Sequence, residues 1–131
     1  MEPRRERHIP EAPFAWARDL HYSQAVRVGD LVFTSGQGGY GRGGDLVAGG
    51  CEEQLRQALQ NLNAALVAAG ASLSSLVKVT VYLADPGDVD VWRRVRSEVL
   101  APPWPATTAI GSALLMDGML CELDAVAVVG G

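Results

Sequence analysis

From Met119 to Val129 the chain alternates like a β-strand, yet both of its sides end apolar. Cys121, Leu123, Ala125, Ala127 and Val129 form one side; on the other, Glu122 and Asp124 give way to Val126 and Val128. A strand of this kind needs cover on both faces, so something must lie on each side of the sheet that contains it. Glu122 sits inside this apolar run. A carboxylate there must be paired, protonated or turned toward a cavity, because burying a bare charge costs several kcal/mol. Pro105–Ser112 reads as another strand ahead of it, the two joined by a tight turn at Asp117-Gly118.

The earlier part of the chain supplies the rest of the sheet and its cover. Residues 1–21, with Pro3, Pro10 and Pro13 among scattered charges, read as an N-terminal arm laid over the surface, with Phe14 and Trp16 able to pin it. Residues 22–131 read as a single domain. Ala25–Val28 and Leu31–Gln37 flank Gly29-Asp30 and form a first strand pair. The glycines between Gly38 and Gly50 lack the Gly-Lys-Ser/Thr ending of a phosphate loop and read as a flexible surface loop. From Cys51 the period changes: Leu55, Leu59, Leu62, Leu66 and Ala69 recur at three and four residues, a helix stopped by Gly70. Val77–Leu83 alternates as a strand. Asp88 then offers a cap for a second helix reaching about Leu100, with Trp92, Val95 and Val99 on one stripe.

The order is β-β-α-β-α-β-β, an α+β fold with a mixed sheet and both helices on one face. Two helices leave the other face of such a sheet bare, and a monomer seldom tolerates a large exposed apolar face, so a partner subunit is expected to cover it. Charge and composition narrow the function. The chain of 131 residues has a net charge of −4, and the basic cluster Arg4, Arg5, Arg7 is short and interrupted by Glu6, which speaks against nucleic acid as partner. No stretch has the length of a membrane span and no apolar segment follows the N-terminal arginines, so a soluble cytoplasmic protein is expected. Cys51, Cys121, His8 and His21 match no metal or redox spacing, so no metal is expected, and Cys51 reads as a small buried or capping residue.

Several stretches together resemble one family. Tyr22-Ser23-Gln24-Ala25-Val26, Leu31–Gln37, Gln57–Leu62, Val77–Leu83, Pro105-Ala106-Thr107-Thr108 and Cys121-Glu122-Leu123 are similar, in order and spacing, to the Rid (YjgF) family of reactive intermediate deaminases. The resemblance implies a chorismate-mutase-like fold assembled as a homotrimer, its sheets forming a central barrel and its small-molecule clefts lying between subunits. It also implies hydrolysis of short-lived enamines and imines to carbonyl compounds and ammonia, with no cofactor.

By the same resemblance Glu122 is the cleft's acid/base residue, Tyr22 a cleft tyrosine, and Ser35 and Gly36 part of a strand whose backbone lines the cleft. The family's carboxylate-gripping arginine is replaced by Thr107, flanked by Trp104 and Thr108, so this is an Arg-less member. A hydroxyl cannot give a carboxylate the bidentate grip of a guanidinium, and the usual imino-acid substrate is correspondingly not expected. Arg93, on the second helix, is a candidate to supply the missing guanidinium, though with Arg94 and Arg96 it also reads as a solvated helix face. Two other functions remain open at this point: a pathway-specific tautomerase, cyclase or dehydratase using the same glutamate, and a non-catalytic ligand-binding or chaperone-like trimer.

Overall fold

In a computed structural model that describes residues 6–130, the three-and-four spacing of Leu55, Leu59, Leu62 and Leu66 becomes the buried stripe of helix α1 (Cys51–Ala68). Its N-terminus is tied by the Glu53 carboxylate, which accepts from the Gly50 amide at 2.9 Å, and Glu52 and Glu53 suit the positive end of the helix dipole. Gly70, at φ +93°, turns the chain out of the helix. The second helix, α2 (Val89–Val99), buries Trp92 and Val95. Asp88 stands at its N-cap position, but its side chain makes no capping hydrogen bond. The Asp85 carboxylate instead accepts from Gly87 N at 2.8 Å and caps a short 3₁₀ turn, Pro86–Asp88, that leads into the helix. Pro3, Arg4 and Arg5 lie outside the described residues.

Six strands form one mixed sheet: β1 (Arg7–His8), β2 (Ala25–Val28), β3 (Leu31–Thr34), β4 (Leu76–Leu83), β5 (Ala106–Gly111) and β6 (Cys121–Val128), in the order β1-β2-β3-β6-β4-β5. All pairs are antiparallel except β4 with β5. Three expectations need correction. β5 and β6 do not form a hairpin, because β4 lies between them. β6 is apolar on both sides along half its length and takes a central place with strands on either side. β5, entered through prolines and largely exposed, is an edge strand laid parallel to β4 by the α2 crossover. The arm is not irregular throughout either, since Arg7–His8 pairs with β2.

The third correction concerns the glycine-rich stretch, which is only in part a surface loop. Asn61 Nδ2, on α1, donates to Gly38 O at 2.9 Å and Tyr40 O at 2.8 Å, and Gln37, Gly38 and Gly39 are buried. A Cβ on Gly39 would stand 2.7 Å from the α1 backbone at Gln54, so the loop can approach the helix this closely only with glycine there.

Cys121, Leu123, Ala125 and Ala127 of β6 face the helices with Val79, Val81 and Leu83 of β4, and all are buried. The even-numbered residues of β6 face the other way. There Val126 and Val128 join Val26 and Val28 of β2 and Leu31 and Phe33 of β3 in an open apolar face, with Leu31 42% and Phe33 44% exposed. Among the described residues no helix is long and apolar enough to cross a membrane.

Gln54 fixes the approach to β6. Its amide donates to Gly118 O at 3.0 Å and accepts from Leu120 N at 2.8 Å, two residues before Glu122. Gln54→Leu leaves both backbone groups unpaired and is expected to cost about 2–4 kcal/mol, measured by urea denaturation.

Candidate active site

The position of Glu122 follows from the pleat of β6 and a bulge in the strand beside it. Phe33 pairs with Val126 and Gln37 with Leu123, so four steps along one strand oppose three along the other. The extra residue falls between Thr34 and Gly36. Backbone bonds close the far side of the bulge, Gln37 N to Leu123 O at 2.7 Å and Leu123 N to Gln37 O at 2.9 Å. The bulge lays Gly36 directly against the Glu122 carboxyl: a Cβ on Gly36 would collide with Glu122 Oε1. Any larger residue here would push the Glu122 carboxyl out of this position, so glycine is what lets the carboxyl lie against the strand.

The carboxyl opens on a cavity of about 420 Å³. Tyr22, Gly36 and Glu122 share it, with Tyr22 58% exposed at its mouth. The rest of the wall includes the buried amides Gln24 and Gln37, then Trp16, Leu20, Tyr40 and Met119, and the exposed pair Leu115 and Met116. Phe14 and Trp16 do pin the arm: their rings stack at 5.2 Å, and Trp16 meets Tyr40 at 5.4 Å. Burial pushes the Glu122 carboxyl up from the ordinary range, and the charge of Asp124 adds to this. Burial, then Glu122 and Tyr22, likewise raises Tyr40, which stays a phenol and a hydrogen-bond donor. On its other side Glu122 borders a smaller hollow with Tyr82 and Asp124, where the Tyr82 hydroxyl donates to Asp124 Oδ2 at 3.1 Å.

The other sequence candidates lie elsewhere on the chain. Ser35 is turned back from the cavity, its hydroxyl donating to Ser23 O at 2.5 Å. Thr107 pairs with Val79, which puts it on the helix-facing side of β5, opposite to the side on which Glu122 projects. It lines a separate groove of about 300 Å³ with Trp104 and Arg96. Thr108 faces the open side and accepts from Lys78 Nζ at 2.5 Å. Arg93 is exposed and paired with Asp90 at 3.0 Å on its own helix. The guanidinium beside Thr107 is that of Arg96, which lies over the Trp92 ring at 5.6 Å.

Sequence reasoning missed Gln24, Gln37, Tyr40, Leu115, Met116 and Met119, all of which line the Glu122 cavity. It singled out Trp16 only as an anchor. The apolar residues carry no chemical signal of their own, and Tyr40 was hidden in a stretch read as loop. Cys121 lies behind Glu122 on the helix-facing side. Its thiol is pushed far above the ordinary range by its hydrogen bond with Cys51 and by burial, which makes it a poor nucleophile. Among the described residues no group of three or more His, Cys, Asp or Glu could hold a metal ion.

Comparison with known proteins identifies the chain's relatives. Residues 13–129 match the family model described as endoribonuclease L-PSP. The chain is 39% identical over 107 residues to a RutC family protein of Pyrococcus abyssi, covering 81% of this chain and 84% of that one. It is 39% identical over 110 residues to the 2-iminobutanoate/2-iminopropanoate deaminase of Homo sapiens, covering 83% and 80%. Among solved structures, RidA from the Antarctic bacterium Psychrobacter sp. superposes with a TM-score of 0.81 at 36% identity, over 91% of this chain and 94% of that one.

Proposed function

The chain belongs to the Rid (YjgF) family, and from that premise we propose that it hydrolyses reactive imines or enamines to carbonyl compounds and ammonia, with Glu122 moving the proton. One observation carries this reading. A carboxyl with a raised pKa stands at the wall of a cavity that includes a tyrosine and the bare backbone of Gly36. Such a group can take a proton from attacking water and return it to the leaving nitrogen. An endoribonuclease reading lacks this support, since among the described residues no Lys, Arg or His lines the cavity to receive a phosphodiester.

The reading extends to assembly. The open face of Val26, Leu31, Phe33, Val126 and Val128 is the surface a second and third copy would cover, giving a homotrimer of chorismate-mutase-like subunits with its clefts between them. Light scattering is expected to give three times the chain mass of 13.9 kDa at micromolar concentration, and Phe33→Glu to lower it. A wild-type mass of one chain would reject the trimer. Activity is tested by generating imines in situ with an amine or amino-acid oxidase and following their decay. Acceleration by the protein supports the deaminase, and decay at the buffer rate for every imine rejects it.

A further inference from the structure

Gln24 is a buried polar group that the reading above leaves without a task. It lines the Glu122 cavity, is only 6% exposed, and its Nε2 has no hydrogen-bond partner. Its orientation is fixed from behind: Gln37 Nε2 donates both to Gln24 Oε1 at 2.8 Å and to Ser35 O at 3.3 Å, so the oxygen of Gln24 must face Gln37. The amide N–H groups that remain call for an acceptor, since a buried donor left unpaired is costly.

The rest of the wall describes that acceptor's molecule. Trp16, Tyr40, Leu115, Met116 and Met119 present aromatic, aliphatic and thioether surface, and among the described residues of the chain no Lys, Arg or His lines the cavity. A carboxylate entering it would face Glu122 with no countercharge among the lining residues. Taking the deaminase reading as given, we propose that the substrate is a neutral-bodied imine or enamine with an aromatic or branched apolar substituent and no carboxylate, and that Gln24 is a further catalytic residue, donating to the oxygen that becomes the product carbonyl. The imine reacts as its iminium ion, formed with a proton from solvent, which an enamine takes at carbon. Water then adds its oxygen to the iminium carbon as Glu122 takes one of its protons, and Glu122 passes that proton to the nitrogen. Ammonia then leaves with the C–N electron pair while an oxygen lone pair closes the C=O bond, and the hydroxyl proton departs on ammonia as ammonium. Gln24 donates to that oxygen throughout, and the apolar substituent lies on Trp16 and Tyr40.

Two ketones that differ only in a methyl or carboxylate group, acetophenone and phenylglyoxylate, test the idea by calorimetric binding to the wild-type protein. Acetophenone is expected to bind at least about tenfold more tightly. Gln24→Leu and Trp16→Ala should each weaken acetophenone about five- to tenfold, with circular dichroism confirming that both remain folded. Equal or tighter binding of phenylglyoxylate overturns the substrate class, and unchanged acetophenone binding by folded Gln24→Leu overturns the role of Gln24. Should Gln24→Leu not fold, Trp16→Ala and the two ketones still decide the substrate class, and Gln24→Met, which removes the donors without adding charge and roughly keeps the size, decides the role. Binding requires no turnover. The expected ketone order with every imine, that of 1-phenylethylamine included, decaying at the buffer rate therefore rejects the deaminase reading and leaves the ligand class standing.

Discussion

Glu122→Gln is expected to lower the rate of imine hydrolysis by about one hundred- to ten-thousand-fold, the range set by loss of a positioned acid/base. The variant keeps the shape of the side chain, so the carboxamide still fits against Gly36, where the space is already filled. Only the proton transfer is lost. The pH dependence carries the same signature. Burial first, and the charge of Asp124 second, raise the Glu122 carboxyl, so the rate should inflect above the ordinary carboxylate range. Asp124→Asn should move that inflection down without returning it to the ordinary value, because burial is the larger cause. Stability follows with the opposite preference. Between the unfolded and folded pKa of Glu122 the folded chain holds more protons than the unfolded one, so stability falls as pH rises through that window. Glu122→Gln escapes the loss and should melt higher than wild type above the window and equally below it. A variant that keeps wild-type hydrolysis, or a rate without an inflection above the ordinary carboxylate range, would remove Glu122 from the chemistry.

Glu122 was legible because a charge inside an apolar strand has few physical explanations, and the structure supplies one of them, a cavity. The helices were legible for a similar reason: Leu55, Leu59, Leu62 and Leu66 can share a face only at helical pitch. Strand order was less so. Local alternation gives β5 and β6 the same reading as a hairpin, and only the competition for the central place separates them, since β6 has two apolar sides to bury and β5 has not. The glycine stretch misled because composition says flexibility, whereas Asn61 on α1 reaches 21 and 23 residues back to hold Tyr40 and Gly38. Gln24 could not be found from sequence at all. Its interest lies in an amide orientation set by Gln37, thirteen residues away.

Thr107→Arg is expected to raise kcat/KM for 2-iminobutanoate by about thirtyfold to several thousandfold, the inverse of what losing one member of a buried charge pair costs. The groove can take the longer side chain: Thr107 is half-buried, its hydroxyl is satisfied locally by Pro105 O at 3.1 Å, and Trp104 beside it is exposed. Arg96 in the same groove opposes a second guanidinium, but it is partly exposed and its charge is screened. Within one chain the new arginine would be on the wrong side to serve Glu122. Thr107 is level with Ala125 on the helix-facing side of the sheet, three residues along from Glu122, which projects from the other. A gain for the carboxylated imine therefore requires the β5 edge of one subunit to meet the Glu122 cavity of the next. Thr107→Lys separates charge from grip, since an ammonium supplies the charge without the bidentate fork and should give a smaller gain. A trimer by mass that shows no gain with either variant would mean that the two surfaces do not meet, and the cleft would then belong to a single subunit.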